Sequence, residues 1–394
     1  MKIGVVGAGV MGTGIAELAA RHGHQVWLVD TEVGALDRYY KLLDISHKKQ
    51  ISKGVITADE SNLIRNRIVF INRMDVLGQA DWVFEAIIED AKSKKMLFKM
   101  LSEIVGSEIP LSTNTSSLSV TGIASACLHP ERVLGVHFFN PVHQMALVEI
   151  IPGLATSPIW IEKAQNLMQE WGKTSILSKD CPGFIVNRIA RPFYLESLRI
   201  AEEGESTFYE IDQSIKQLGF KMGPFELMDF VGNDINYAVS EVIFRETGYD
   251  SRYRTTILQK RMIEAGWLGK KSGKGYYAYS SDGKIIHPQI DFKIRNGISQ
   301  RVLVMLINEA AHLYQNHIAS RNDIDLAVTL GLNYPKGLLS WADEIGIRVV
   351  VDQLESLYHQ YMEERYRPAV ILREMVKNNH VFYPEKLTST SRSV

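Results

Sequence analysis

The stretch Lys2-Ile3-Gly4-Val5-Val6-Gly7-Ala8-Gly9-Val10-Met11-Gly12 decides the fold of this 394-residue chain. Lys2–Gly7 reads as a short apolar strand running into a glycine turn. A helical pattern follows to His22, with Ile15, Leu18 and Ala19 on one face, and a second strand, Gln25–Val29, stops at Asp30. Strand, glycine turn, helix, strand and terminal acid together form the context in which a GxGxxG pattern means dinucleotide binding. Gly7 permits the tight turn, Gly9 lets backbone approach a pyrophosphate, and Gly12 allows the helix to pack close on the strand. The N–H groups of the first helical turn, around Val10 and Met11, point at the same anion. Gly7, Gly9, Val10, Met11 and Gly12 are therefore cofactor candidates. Asp30 is placed to accept from the adenosine ribose hydroxyls and to repel a 2′-phosphate, which favours NAD over NADP.

Working outward, residues 34–67 are mostly helical by period and carry a basic cluster, His47-Lys48-Lys49, with Lys53 beyond. Taken alone, that cluster reads as a solvated helix face. A strand, Trp82–Ala86, leads through Ile87-Ile88-Glu89-Asp90 into an amphipathic helix expected to turn Met96, Leu97, Met100, Leu101 and Ile104 inward. Another strand, Pro110–Thr113, ends in Asn114-Thr115-Ser116-Ser117-Leu118-Ser119. Open parallel sheets bind ligands beyond the carboxyl ends of their strands, so Glu89, Asn114 and Ser116 are expected to face the cofactor crevice. Helix capping accounts for Ser117 or Ser119 and leaves Asn114 and Ser116 unexplained.

Two apolar runs, Arg132–Phe139 and Met145–Ile151, flank the polar turn Asn140-Pro141-Val142-His143-Gln144, the pattern of a hairpin. Centring the turn on His143 sets His137 opposite Glu149, at a Cβ separation of roughly 4.5–5.5 Å. A carboxylate there fixes the imidazole tautomer and leaves the other nitrogen free to accept a proton. The bland alternative is a buried histidine satisfied by a neighbour.

A helix (Ser157–Trp171) and a strand (Thr174–Ser178) precede the break Lys179-Asp180-Cys181-Pro182-Gly183, after which the chain is helical almost throughout. Asn187, in the first turn of the new helix, stands beside an apolar stripe at this domain junction. An internal repeat follows. Asn187-Arg188, Glu196, Glu210-Ile211-Asp212 and Gly223 are echoed by Gln300-Arg301, Glu309, Asp323-Ile324-Asp325 and Gly337. Gln300 replaces Asn187 in the second copy, and no His/Glu pair precedes it, so that copy reads as structural. The expected class is α/β plus all-α: a Rossmann-type domain over 1–182, then two repeated helical domains over 183–285 and 293–394.

A formal net charge of −1 gives no global basic field for nucleic acid or a membrane surface, so an anionic ligand must be held by local donors. No apolar run reaches the ~18–20 residues of a membrane span. Cys127 and Cys181 make neither a disulfide framework nor a metal-ligand pattern. A cytoplasmic, metal-free protein is expected.

The chain resembles the 3-hydroxyacyl-CoA dehydrogenase family, including its 3-hydroxybutyryl-CoA members. The resemblance rests on Gly7–Gly12, Asn114-Thr115-Ser116-Ser117-Leu118, His137-Phe138-Phe139-Asn140-Pro141, Cys181-Pro182-Gly183-Phe184-Ile185-Val186-Asn187-Arg188 and Gly223-Pro224-Phe225-Glu226-Leu227. It runs continuously from Met1 to about Tyr279, and the duplicated unit extends it nearly to the end. It implies reversible NAD-dependent oxidation of (S)-3-hydroxyacyl-CoA, with His137 as catalytic base, Glu149 orienting it, and Ser116 and Asn187 in the substrate site. Its cofactor contacts fall on Asp30, Glu89, Lys94 and Asn114. Its CoA contacts fall near Ser46–Lys53, with Lys48 and Lys49 as the candidate cations. Short members dimerise through the helical domain; here the second copy implies either an internal pseudo-dimer or a homodimer. Two rivals keep the fold: a dehydrogenase of a non-CoA 3-hydroxy acid such as gulonate or carnitine, and a redox-silent NAD-binding protein. The first lacks a use for Asn114-Thr115-Ser116-Ser117, and the second should have lost one of His137, Glu149, Ser116 or Asn187.

Overall fold

In the computed structural model, which describes residues 1–287 and 294–385, β1 (Lys2–Val6), α1 (Val10–Arg21) and β2 (Gln25–Val29) stand in the expected order. α2 (Ala35–Ser52) and α3 (Ala58–Asn66) fill the helical stretch, and β3 (Ile68–Ile71) follows. This strand was not anticipated. The helical period stops at Asn66, and four residues carry too little alternation to register as a strand. The unit continues with β4 (Trp82–Glu85), α4 (Ala91–Ile104), β5 (Leu111–Thr113), α5 (Val120–Ala124), β6 (Val133–Phe138), β7 (Leu147–Pro152), α6 (Pro158–Glu170) and β8 (Thr174–Leu177).

These strands form one sheet in the order β3-β2-β1-β4-β5-β6-β7-β8. The first six in that order are parallel, in the 3-2-1-4-5-6 sequence of a Rossmann sheet, and β7 pairs antiparallel with β6. Alternation of side chains assigns each face its own core. Ile3, Val5, Trp82, Phe84, Leu134, Val136 and Phe138 pack with α1 and α6 residues. Val6, Val83 and Val133 pack with Leu97, Phe98 and Leu101 of α4 on the other side. One expectation for α4 is corrected: Met96 and Met100 are 63% and 46% exposed. Leu97, Phe98 and Leu101 centre the buried stripe, so both methionines fall on its flank.

The chain divides into two compact units, Met1–Phe184 and Ile185–Val394, the second holding both helical copies. The expected second copy includes residues 293 and 386–394, which lie outside the described ones. The α-helices of the second unit are α7 (Val186–Glu202), α8 (Phe208–Lys216), α9 (Pro224–Val231), α10 (Asn233–Glu246), α11 (Ile257–Glu264), α12 (Asn296–Gln315), α13 (Arg321–Leu326), α14 (Leu338–Ile345), α15 (Ile347–Tyr361) and α16 (Val370–Asn378). The repeat is visible as reciprocal contacts. Arg188 Nε meets Glu309 Oε1 at 2.8 Å, and Arg301 Nε meets Glu196 Oε1 at 2.8 Å. Tyr253 and Tyr366 donate their hydroxyls to the same two carboxylates, at 2.5 and 2.6 Å. Asp212 accepts from the N–H groups of Phe225 and Glu226 as Asp325 does from those of Leu339 and Ser340.

Burial acts to raise the pKa of Glu196 and Glu309. Arg199, Arg301 and Arg365 around the first, and Arg252 and Arg188 around the second, outweigh it and hold each at about 2. A depressed carboxyl contributes its full stability above its unfolded value, near 4.5, and loses it as pH falls toward 2. The urea midpoint is therefore expected to fall steeply across that window. Arg188→Met and Arg301→Met should each cost about 1.5–3 kcal/mol at neutral pH, the loss of a charge-assisted hydrogen bond to a buried carboxylate that keeps Arg252, or Arg199 and Arg365, as its remaining cations. Losses below about 1 kcal/mol would show that these pairs do not hold the copies together.

Candidate active site

The register lines up Ile71, Val29, Val6, Glu85, Thr113 and Gly135 in one row across the six parallel strands. Everything just beyond that row lies at one edge of the sheet. Gly7 follows β1 there, Asp30 follows β2, Glu89 follows β4, Asn114 and Ser116 follow β5, and His137 is near the end of β6.

The glycine turn fits a dinucleotide pyrophosphate. Gly7 has φ +104°, and a Cβ on Gly12 would lie 1.8 Å from the Gly7 carbonyl oxygen, so neither position admits a side chain. Gly9 has nothing within 4 Å of where a Cβ would stand, and no side chain caps α1, whose first turn holds Val10 and Met11. The first-turn N–H groups are thus presented to a ligand. Asp30 Oδ2 accepts from Ala8 N at 2.8 Å, and Oδ1 accepts from Glu32 N at 2.9 Å. Arg38 stands 3.6 Å from Asp30 and 2.8 Å from Glu32. The two acids outnumber the one base, so the end of β2 keeps a negative balance. Beside it a cavity of about 290 Å³ is lined by Asp30, Thr31, Met74, Ile87, Met96 and Met100, an apolar slot that explains the outward methionines.

Next along the edge, Glu85 is fully buried at the end of β4. It accepts from Lys94 Nζ at 2.5 Å, Thr113 Oγ1 at 2.7 Å and Ile87 N at 2.7 Å. Lys94, itself buried, also lies 3.4 Å from Glu89 Oε2. Glu89 Oε1 accepts from Thr115 Oγ1 and Ser116 N, both at 2.7 Å, and from Ser116 Oγ at 3.1 Å. Partial enclosure works to raise the Glu89 pKa, but Lys94 and these donors outweigh it and hold it below the usual carboxyl value. Asn114 Oδ1 accepts from Phe138 N at 2.8 Å, tying the serine loop to the strand that carries His137.

In the β6–β7 ladder His137 pairs directly with Glu149, the pairing that hairpin symmetry predicts. His137 Nδ1 lies 2.7 Å from Glu149 Oε2, and Glu149 is 0% exposed. A buried carboxylate with a nitrogen at that distance makes Nδ1 the donor, so the proton-free lone pair belongs to Nε2. Nε2 has no partner among the described residues. The ring stands 4.5 Å from Phe139 and 5.9 Å from Phe184, centroid to centroid, which limits water around it. Asn187, in the first turn of α7, belongs to the second unit and is half-buried.

The basic cluster on α2 does not behave as one. His47 is buried on Ser61, and burial lowers its pKa, so it adds no positive charge. Lys48 and Lys49 are both exposed, but only Lys49 joins Ser46, Glu17, Pro141 and His143 in lining a cavity of about 200 Å³. Three contributors escaped the sequence reading. Glu85 left a usable signal: a charged residue inside a buried strand demands a cation. Asp180, which accepts from Val120 N and Thr121 N at the start of α5, left only a break motif. Lys173, pulled down to about 8 by burial, donates to Val142 O at 2.5 Å and Met145 O at 2.8 Å and so holds the hairpin turn; no spacing announced it.

The family models that match are those of the 3-hydroxyacyl-CoA dehydrogenase NAD binding domain, over residues 2–181, and of the 3-hydroxyacyl-CoA dehydrogenase C-terminal domain, over 183–279 and again over 298–386. Among curated proteins, the 3-hydroxyadipyl-CoA dehydrogenase of Escherichia coli K12 is 33% identical over 94% of this chain and 96% of its own. A probable 3-hydroxybutyryl-CoA dehydrogenase of Deinococcus radiodurans is 40% identical over 71% of this chain and all of its own, 100%. Among solved structures, a 3-hydroxybutyryl-CoA dehydrogenase from Escherichia coli K12 superposes with a TM-score of 0.89 at 33% identity, covering 95% of this chain and 98% of its own.

Asp30→Ser removes the carboxylate expected to accept from the adenosine ribose, and it releases Arg38. The KM for NAD is expected to rise by roughly tenfold, the loss of about one charge-assisted hydrogen bond. Activity with NADP should rise in the same variant. Steady-state kinetics with both cofactors check this; an unchanged KM for NAD would remove Asp30 from the ribose site.

Proposed function

Because this chain belongs to the 3-hydroxyacyl-CoA dehydrogenase family, we propose that it carries out reversible oxidation of an (S)-3-hydroxyacyl-CoA to the 3-oxoacyl-CoA, with His137 as general base. One observation carries the reading: a buried carboxylate engages Nδ1 of His137 while Nε2 is left for substrate, at the edge that also presents the dinucleotide cradle. Bound NAD supplies the hydride acceptor, and NADH the donor in the reverse direction.

His137 Nε2 takes the proton of the substrate hydroxyl as the C3 hydride departs. The ring becomes an imidazolium, which burial disfavours unless a negative neighbour compensates. Glu149 is that neighbour, and it keeps the ring in one tautomer beforehand. Ser116 Oγ and Asn187 hold and polarise the reacting oxygen, help that counts because the donors are fixed in advance. The Ser116 hydroxyl spends its hydrogen on Glu89 at 3.1 Å, a long bond that substrate can replace at a cost of about 1 kcal/mol. Lys94 acts through Glu89: its ammonium, shared with Glu85, keeps that carboxylate ionised for the cofactor. Of the two lysines on α2 we assign the CoA contact to Lys49, since it shares a cavity with Ser46 and the hairpin turn. The relatives are named for a short neutral acyl chain, 3-hydroxybutyryl, and for one ending in a carboxylate, 3-hydroxyadipyl. Both are candidate chains here.

NADH consumption with acetoacetyl-CoA tests the reading directly. His137→Gln should lower kcat by ~10²–10⁴-fold while leaving NADH affinity intact. Glu149→Gln should be nearly as severe. Wild-type-like turnover in either variant would refute the pair's role. The reciprocal Arg–Glu pairing of the two helical copies supports a monomer in which the second copy takes the place of a partner; light scattering giving twice the 44.5 kDa chain mass would count against it.

A further inference from the structure

The charges at the carboxyl end of β4 do not cancel. Glu85 takes Lys94 Nζ and the Ile87 N–H on Oε1, and the Thr113 hydroxyl on Oε2. An ammonium and an N–H can only donate, so this set of partners suits the carboxylate form. Glu89 is met in the same way, by the N–H groups of Ser116 and Ser117 and by the Thr115 hydroxyl. Lys94 and these donors keep it ionised. Among the described residues, Lys94 is the one cation within 4 Å of either carboxylate. Two carboxylates therefore share one ammonium, and one negative charge is left over.

Water screens this excess poorly, because Glu85 and Lys94 are buried and Glu89 is only partly open. The excess also lies on a defined side of the cofactor cradle. Asp30, at the adenosine end, follows β2, and the glycine turn for the pyrophosphate follows β1. In the sheet β1 stands between β2 and β4. The half of a dinucleotide beyond its pyrophosphate therefore runs toward β4, β5 and β6, the strands that bring Glu89, Ser116 and His137 to the edge. That half is where the two forms of the cofactor differ. The oxidised nicotinamide ring carries one positive charge and the reduced ring none, while phosphates, riboses and adenine are identical. A fixed negative charge on that side acts on one form and not on the other. The buried Glu149 carboxylate adds to it from β7 as long as the His137 ring is neutral.

We propose that Glu85, Lys94 and Glu89 together set the preference of the site for oxidised over reduced cofactor, through the one carboxylate charge that Lys94 leaves uncompensated. This rests on the reading above, in which the nicotinamide end lies toward Ser116 and His137. Glu85 is the selector. It lies inside the sheet edge and engages the ammonium at 2.5 Å, against 3.4 Å for Glu89, so Glu89 keeps most of its charge. A lone Lys94–Glu89 pair would be neutral and indifferent to the redox state of the ring. In the oxidative direction the excess charge holds NAD and loosens the grip on NADH once the ring has lost its positive charge.

The test is equilibrium binding to the full chain without substrate, NAD by calorimetry and NADH by fluorescence titration. The readout is the ratio of the two dissociation constants, NAD over NADH. Glu85→Gln keeps the bulk of the side chain and should raise that ratio by roughly tenfold, the effect of one unit charge about 12 Å away at an effective dielectric near 20. Glu89→Gln removes the same charge from a partly exposed position and should shift the ratio in the same direction. Glu85→Gln combined with Lys94→Met removes both charges of the buried pair and restores the balance, so its ratio should return to within about twofold of the wild type. A merely structural role would weaken both cofactors alike and would make the double variant worse than the single one. An unchanged ratio in Glu89→Gln overturns the proposal even if Glu85→Gln does not fold, and so does an equal loss of both cofactors in Glu85→Gln. A wild-type chain that binds neither cofactor would instead sink the reading on which the proposal rests.

Discussion

The direction of one strand governs the chemistry of the first unit. Six parallel strands deliver their ends to a common edge, and a seventh parallel strand would require a helical crossover before it could join. β7 instead returns immediately against β6. That reversal places two side chains opposite each other, His137 and Glu149, that no parallel neighbour could bring into register. The buried carboxylate obtains its donor and the imidazole obtains its orientation in the same contact. The turn between the strands is anchored from outside the hairpin by Lys173, whose ammonium bonds two of its carbonyls. The ladder and that anchor together fix where Nε2 stands.

A second set of buried charges serves the neighbouring strands. Glu85 ends β4 at a fully buried position, where Lys94, Thr113 and the Ile87 N–H together satisfy its side chain. Lys94 is then shared with Glu89, and Glu89 organises the serine loop after β5. The chain of contacts Glu85–Lys94–Glu89–Ser116 therefore runs from the sheet interior to the edge. Each polar group is satisfied by the next, which rigidifies this edge of the sheet.

Most of this was readable because it follows short-range rules. The glycine turn and Asp30 needed only a motif in its context, and the hairpin needed only period-two alternation about a turn. What stayed hidden depended on three-dimensional neighbours. β3 was too short to show a period. Met96 and Met100 were expected in the core because periodicity locates a stripe but does not fix its width; their exposure follows from the slot beside Asp30. His47 reads as part of a charge cluster, yet it is buried and bonded to Ser61 fourteen positions away. Lys173 and Arg191 look like ordinary basic residues in sequence, and only their burial and the neutrality of their partners set them apart.

The duplicated helical region shows how a repeat can be structural and asymmetric at once. Glu196 and Glu309 are each clamped by an arginine of the opposite copy and a tyrosine hydroxyl, so the two halves stabilise one another through equivalent contacts. Such an arrangement constrains Arg188 and Arg301 equally but leaves the positions just before them free to diverge. They have: Asn187 stands in one copy and Gln300 in the other. The same freedom extends one turn further, where Arg191 corresponds to Val304. A cation in one copy and an aliphatic side chain in the other cannot both serve the shared scaffold. The scaffold therefore does not require a charge there.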